Sequence, residues 1–175
     1  LGLMGPQSRT LLQRLAESEL DRDAFPFGTV QDLMIAGAPV RVLRISFVGE
    51  LGYELHVPTE YLLTVFDALH DVGIEHGLVN AGYRAIDSLR LEKQFCAWSA
   101  EIGPDDTLLE AGLGFALDLN KAGFVGRDAV YAQRSAPLKK KLATFTISGD
   151  QPLLGGETIY RDCEVAGWIT SGGFK

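Results

Sequence analysis

The sequence has few residues that could hold a metal ion or form a disulfide framework. It contains two cysteines and three histidines among 175 residues. Cys96 and Cys163 lie far apart without a CxxC motif, and no two histidines have the HxxxH spacing. Ligand sets for metals and disulfide scaffolds both need such clusters. The sequence therefore predicts no metal site and two free thiols.

Long apolar runs, basic surfaces and nucleotide-binding motifs are also missing. No apolar segment reaches the length of a membrane span, and the first residues lack the charged-then-apolar pattern of a signal peptide. The net charge of −7 repels nucleic acid and anionic membranes. Neither GxGxxG nor GxxxxGK[ST] is present, and no Ser/His/Asp or Cys/His arrangement points to a nucleophile. We therefore expect no nucleic-acid or membrane partner and a cytoplasmic protein, located in the mitochondrial matrix if eukaryotic.

The composition and the periodicity of apolar residues are typical of a mixed globular fold. Hydrophobic residues make up 46% of the chain and charged residues 22%. Apolar residues at helical spacing predict helices over residues 5–15, 59–72, 83–93 and 126–134. Alternating apolar residues predict strands over 41–47, 53–57, 115–119, 142–147, 157–160 and 165–170. The fold class predicted is α+β, an antiparallel sheet with packed helices.

The central feature is the predicted hairpin formed by residues 41–47 and 53–57. Tyr53 and Leu55 share its apolar face, so Glu54 lies on the other face, beside Gly52. A carboxylate accepts hydrogen bonds only, and a glycine allows close approach to the backbone, so this pair suits a ligand with adjacent N–H donors, such as the amino-pyrimidinone edge of a pterin. The alternative is a Glu on a solvated strand face, which is where Glu is mostly found.

The predicted helix over 83–93 carries charges at helical spacing. Arg84, Asp87 and Arg90 are three residues apart in turn, so they either neutralise one another on the helix surface or serve a ligand. Asn80 is the expected N-cap. Trp98 follows the helix, where an indole either packs in the core or at its rim, or covers a flat ring.

The last third of the chain differs in character from the part before it. Thr107 and Glu110 have the spacing of a capping box. Ala136 and Pro137 mark the candidate domain boundary. The short predicted strands between glycine turns that follow are typical of a β-barrel or sandwich. We predict one domain over residues 1–136 and the start of a β-barrel domain over 137–175.

Several motifs together resemble the aminomethyltransferase family, which includes the glycine cleavage T-protein and the folate domains of sarcosine and dimethylglycine dehydrogenases. They extend from GPQS at residues 5–8 to GWITSGG at 167–173, so the resemblance covers essentially the whole chain. The motifs between these are FVGELGYE at 47–54, AG at 81–82 with DSLRLE at 87–92, LEAGLG at 109–114 and FVGRDA at 124–129.

The resemblance implies a split βαβ-like folate-binding domain with a tetrahydrofolate site. Glu54 corresponds to the family's glutamate that grips the pterin, and Phe47 to an aromatic residue that packs against it. T-proteins usually hold the folate tail with an arginine where this sequence has Ile86. Arg84 lies two residues earlier, a shift that turns a helical side chain by roughly 200°, and is the candidate here. Trp98 matches a T-protein tyrosine. These departures are similar to the dehydrogenase branch.

The resemblance also implies a larger parent enzyme. The family's catalytic aspartate corresponds to a position before Leu1, so we name no catalytic residue and expect the isolated chain to be inactive. In the dehydrogenases an FAD domain lies on the amino-terminal side and would be the partner that oxidises a small N-methylated amine. The expected function is one-carbon capture as 5,10-methylenetetrahydrofolate. The alternatives are a T-protein-type aminomethyltransferase, with an aminomethyl donor, and a non-catalytic folate-binding module.

Overall fold

The computed structural model describes residues 1–173 and consists of two compact units, Leu1–Lys93 and Gln94–Lys175. The end of the predicted barrel segment, residues 174 and 175, lies outside the described residues. The helices and strands are β1 (Gly2–Met4), α1 (Ser8–Gln13), β2 (Val30–Ile35), β3 (Ala38–Leu43), β4 (Gly52–His56), α2 (Leu62–Gly73), α3 (Tyr83–Glu92), α4 (Arg127–Arg134), β5 (Thr158–Arg161) and β6 (Glu164–Trp168). Short 3₁₀ turns occur at Thr59–Tyr61, Ile74–His76 and Gly114–Ala116.

The first unit contains a four-stranded antiparallel sheet in the order β1-β4-β3-β2. β2 and β3 form a tight hairpin through Ala36 and Gly37, both with positive φ (50° and 76°), as two-residue hairpin turns require. The predicted pairing of the two central strands is confirmed, because β3 pairs with β4. The prediction that the first of them runs to Phe47 is wrong: β3 ends at Leu43, and Phe47 lies in the connection to β4.

One face of this sheet packs against α1 and α2 to form the core. The helices contribute four apolar side chains that are at most 5% exposed: Leu11 and Leu12 from α1, and Val65 and Leu69 from α2. The remaining core residues are Leu3, Leu20, Phe25, Leu33, Ile35, Ala38, Val40, Val42, Tyr53 and Leu55. Each fully buried aliphatic side chain contributes about 1.5–3 kcal/mol, so this cluster is the main source of stability for the sheet.

The four predicted helices are present, but the predicted N-cap of α3 is wrong. Gly82, rather than Asn80, is the N-cap of α3. The Asn80 Oδ1 atom instead lies 3.0 Å from His70 Nε2, at the surface. The helices were predicted correctly because apolar periodicity is a local property of the chain. The position of the Asn80 side chain was not, because its partner, His70, lies outside α3.

The second unit contains α4 and a two-stranded antiparallel sheet of β5 and β6. The hydrogen bonds of the predicted capping box form, since Thr107 Oγ1 accepts from the Glu110 amide (3.3 Å) and Glu110 Oε2 accepts from the Thr107 amide (3.2 Å). The helix that a capping box starts is absent, because residues 108–112 form turns. The predicted strands over 115–119 and 142–147 are wrong, because neither segment pairs with another strand. An alternating pattern forms a strand only when a neighbour takes up its backbone hydrogen bonds. The boundary at 136 and the barrel assignment stay predictions.

Among residues 1–173, no helix has the length and apolar character to cross a bilayer.

Candidate functional site

Glu54 lies on the face of the sheet opposite the core. Its neighbours in β4, Tyr53 and Leu55, are 0% and 1% exposed, and strand alternation therefore places Glu54 on the other face. Gly2 of β1 and Leu43 of β3 are its direct cross-strand partners. The Glu54 side chain thus points away from the core, as the alternation of residues along the strand predicted.

A cleft of about 400 Å³ opens beside the Glu54 carboxylate. It is lined by Leu1, Gly2, Met4, Glu54, Leu55, His56, Val57 and Leu62. The Glu54 side chain is 38% exposed, and within residues 1–173 no hydrogen bond reaches its carboxylate. The nearest basic side chain is His56, whose Nε2 lies 3.5 Å from Glu54 Oε2. The carboxylate therefore keeps its acceptor capacity for a donor that enters the cleft.

The neighbouring charges on this face pair with each other rather than with Glu54. Arg41, the cross-strand partner of His56, makes a two-pronged contact with Asp32 (Nε–Oδ1 2.8 Å, Nη2–Oδ2 3.0 Å). The hydrogen bond from Arg41 holds the pKa of Asp32 below its usual value, so Asp32 stays charged and neutralises the guanidinium. Exposed ion pairs add little stability. Because Arg41 is paired with Asp32, however, it does not occupy the Glu54 carboxylate.

Gly52 is explained by packing within the protein, which corrects the sequence interpretation. A Cβ at this position would lie 3.0 Å from Ser46 Cβ, 3.1 Å from Met4 Cγ and 3.3 Å from the Ile45 carbonyl oxygen. The protein itself makes the close approach that we expected of a ligand. The bare backbone beside Glu54 belongs instead to Gly2, where a Cβ would meet only the terminal methyl of Met4, at 3.2 Å.

The turn before Glu54 is anchored to the start of α1. The carbonyl oxygen of Leu51 accepts hydrogen bonds from the Gly5 amide (2.8 Å) and from the hydroxyl of Ser8 (3.1 Å), which is only 3% exposed. A buried hydroxyl needs such a partner. The glycine and serine of the GPQS segment thus fix the position at which β4 begins.

The other two predicted residues of the first unit do not line this cleft. Phe47 is 37% exposed and lies between β3 and β4, and Arg84 is exposed in the first turn of α3. In the described part of the chain, no ion pair involves Arg84. Asp87 pairs with Arg90 (3.2 Å), as the neutralising alternative predicted, although Arg90 is buried rather than on the surface. Their roles in ligand binding stay predictions.

Trp98 belongs to the second unit. Its side chain is 67% exposed, and its backbone forms an isolated parallel bridge with Ile102. This exposure does not support the interpretation of Trp98 as core packing. An exposed indole offers an aromatic face, and its proposed contact with a ligand stays a prediction.

Among residues 1–173, no group of three or more His, Cys, Asp or Glu side chains is arranged to hold a metal ion. Sequence reasoning did miss His56 as the neighbour of Glu54. The signal was available, since two residues separated by one position on a strand share a face.

Comparison with known proteins identifies the family. The sequence model of the GCVT N-terminal domain matches residues 1–121. Human mitochondrial sarcosine dehydrogenase is 45% identical over 175 residues, covering 99% of this chain and 19% of that protein. Human mitochondrial dimethylglycine dehydrogenase is 39% identical over 177 residues, covering 100% of this chain and 20% of that protein.

A solved structure shows the same fold. The crystal structure of glycine cleavage system aminomethyltransferase T from Bartonella henselae aligns with a TM-score of 0.75 at 25% identity, covering 97% of this chain and 46% of that one. The α+β fold class is thereby confirmed. The chain spans about a fifth of the two dehydrogenases and about half of the aminomethyltransferase. Because the family model matches more than half of its residues, this chain belongs to the GCVT N-terminal domain family of the aminomethyltransferases and the sarcosine and dimethylglycine dehydrogenases.

Proposed function

We propose that this chain is the tetrahydrofolate-binding, one-carbon-transfer portion of an enzyme of the sarcosine and dimethylglycine dehydrogenase type. The observation that carries the proposal is the Glu54 carboxylate, which lines a cleft and accepts no hydrogen bond from residues 1–173. A half-exposed acid on an otherwise well-packed sheet is suited to a ligand with two adjacent N–H donors. The identity of 45% and 39% to the two dehydrogenases, against 34% to an aminomethyltransferase over a similar length, supports this branch.

The residues present fit the pterin edge of a folate. Glu54 would accept its N–H groups, and Gly2 leaves space beside the carboxylate that a larger side chain would fill. The cleft volume of about 400 Å³ lies within the range of small-molecule sites. Tetrahydrofolate, when bound, supplies the amine nitrogens that accept the one-carbon unit as 5,10-methylenetetrahydrofolate.

The residues of this chain would orient the folate rather than react with it. Charge-assisted hydrogen bonds to a carboxylate fix both the register and the plane of a flat heterocycle. Phe47 would add aromatic contact, and Arg84 would hold the anionic tail. Holding the accepting amine near the incoming one-carbon unit and limiting the access of water are the contributions expected of such a site.

The source of the one-carbon unit is part of the same proposal. A flavin-bearing domain of the parent enzyme would oxidise a small N-methylated amine, with the two electrons passing to the flavin. The location would be the mitochondrial matrix in a eukaryote and the cytoplasm otherwise. The names of both human relatives describe those proteins as mitochondrial, which supports the first of these.

Replacement of Glu54 tests the pterin contact. Each charge-assisted hydrogen bond contributes about 1.5–3 kcal/mol, so Glu54→Ala in the full-length enzyme should weaken tetrahydrofolate binding by at least about tenfold. Titration followed by tryptophan fluorescence measures the affinity. Glu60→Ala, which removes an exposed carboxylate outside the cleft, is the matched control and should bind folate as the wild type does. Equal tetrahydrofolate affinity of wild type and Glu54→Ala would refute the proposed contact between Glu54 and the pterin.

The fate of the oxidised methyl group gives a second readout of the same variant. Wild-type enzyme supplied with an N-methylated amine and tetrahydrofolate should form 5,10-methylenetetrahydrofolate. Glu54→Ala should oxidise the amine at a similar rate but release more of the carbon as free formaldehyde, because water then competes for it. An unchanged ratio of the two products would contradict the proposed role.

We also propose that the 175-residue chain alone does not complete the reaction, since the oxidation step is assigned to another domain. The purified chain, mixed with tetrahydrofolate and an N-methylated amine, should produce no 5,10-methylenetetrahydrofolate. Chromatographic detection of that product under these conditions would refute the assignment.

A further inference from the structure

A second cavity of about 690 Å³ lies in the first unit, separate from the Glu54 cleft. It is lined by Arg9, Arg22, Asp23, Pro26, Phe27 and Arg44, none of which lines the cleft. Arg9 comes from α1, Arg44 directly follows β3, and the other residues come from the connection between α1 and β2. Three separate parts of the chain thus bring three guanidinium groups to one cavity.

These three arginines are not used in ion pairs within the described part of the chain. No carboxylate of residues 1–173 lies within 4.0 Å of Arg9, Arg22 or Arg44. Arg14 and Arg41, by contrast, each pair with an acid of the same unit. The chain carries 23 acidic residues and a net charge of −7, so acidic partners are not scarce. Three arginines share this cavity with a single acid, Asp23, and the excess of positive charge favours binding of an anion.

Arg44 and Arg9 both have N–H donors that no described residue uses. Arg44 Nε is buried and has no acceptor among the described residues. Buried donors in proteins are nearly always paired, so this atom lacks a partner that a ligand oxygen would supply. Arg9 uses Nε to contact the hydroxyl oxygen of Tyr53, at 3.3 Å, and no described residue accepts from its terminal nitrogens.

The walls of the cavity are held in place by the backbone. Arg44 is fixed by two hydrogen bonds, from its own amide to the Thr29 carbonyl and from the Gly28 amide to its carbonyl, each 3.0 Å. The loop that carries Arg22 is closed by the Asp21 carboxylate, which accepts from the amides of Asp23 and Ala24 at 2.8 Å. These two amides, and to a smaller extent Arg9, lower the pKa of Asp21. Asp21 is therefore engaged with its own loop, and Asp23 is the one acid that lines the cavity.

Phe27 adds apolar surface to the same cavity. Phe27 is 74% exposed, and it precedes Gly28, whose amide donates to the Arg44 carbonyl oxygen. Guanidinium groups bind carboxylates and phosphates through paired N–H donors, and an exposed ring packs against the organic part of a ligand. We propose that this cavity is a binding site for a small organic anion that carries two or more carboxylate or phosphate groups.

Calorimetric titration of the full-length protein with two probes tests the proposal. Tricarballylate represents a carboxylate ligand, and pyrophosphate represents a phosphate ligand. We expect the wild type to bind at least one of them, more weakly as ionic strength rises, and the preferred probe identifies the acid group. Arg44→Gln and Arg22→Gln should each weaken that binding by about tenfold or more.

Arg41→Gln is the matched control, because it removes the same charge from an exposed arginine of the same sheet that already pairs with Asp32. Its affinity should stay within about twofold of the wild type, since it lies outside the cavity. Arg22 is exposed, so its replacement keeps the test valid even where Arg44→Gln does not fold. Absence of binding by both probes up to about 10 mM, or equal losses in the control and cavity variants, would overturn the proposal. Folate binding is measured separately at Glu54, so the two proposals fail independently.

Discussion

At the scale of single residues, the sheet decides which side chains are available to a ligand. Glu54 sits between two of the most buried residues in the protein, Tyr53 and Leu55, and is nevertheless accessible because strand geometry turns it to the other face. The alternation of residues 53–57 was enough to predict this. The meaning of Gly52 was not predictable, because the atoms that crowd it come from Met4 and from the segment before β4.

Replacement of Gly52 by alanine should destabilise the first unit. The added methyl group would contact the backbone oxygen of Ile45 as well as Ser46 and Met4, at 3.0–3.3 Å, and overpacking of this kind costs about 1–3 kcal/mol. Chemical denaturation followed by circular dichroism measures the change. Gly2→Ala is the matched control on the adjacent strand, because its methyl group meets only the flexible end of Met4. Equal stability of the two variants would show that the sheet absorbs the extra carbon.

At the scale of elements, α2 shows why helices were easier to predict than strands. Its apolar residues recur at helical spacing, and that stripe faces the sheet with Val65 and Leu69 at 0% and 5% exposure. The information is contained within twelve consecutive residues. A strand depends on a partner distant in sequence, and the alternating segment 142–147 has none in the described residues, so the same style of reasoning failed there.

Two leucines of α2 provide a matched test of this packing. Leu69→Ala removes a side chain from the core and should lower the free energy of unfolding by about 2–5 kcal/mol. Leu63→Ala, at a position 69% exposed on the same helix, should change it by less than about 0.5 kcal/mol. Urea denaturation of both variants measures the difference. Similar losses would mean that the exposed face of α2 is covered in solution.

At the scale of the whole molecule, the two units differ in how much apolar surface they bury. All 14 residues of the core cluster belong to the first unit. In the second unit, as far as residue 173, Ala111 is the one hydrophobic residue in the buried class, while Phe115, Val125 and Leu154 are each at least 81% exposed. The resistance of a region to opening follows its buried apolar contacts, so the units should differ in stability.

Hydrogen exchange measured by mass spectrometry on the 175-residue chain should show this difference. Amides of β3 and β4 should exchange slowest, since their residues belong to the sheet and core. Amides of residues 142–147 should exchange fastest, because in the described structure only the Leu142 amide donates to another backbone group, the Glu110 carbonyl at 2.8 Å. Comparable protection of the two regions would contradict the assignment of the core to the first unit.

The sequence by itself determined the helices, the central strand pairing, the α+β class and the direction of Glu54, because each follows from a local period in the chain. Its motifs also identified the family. Only the tertiary structure decided the crowding at Gly52 and the grouping of Arg9, Arg22 and Arg44 around one cavity. These features join residues that are distant along the chain, and no periodicity records which distant segments will meet.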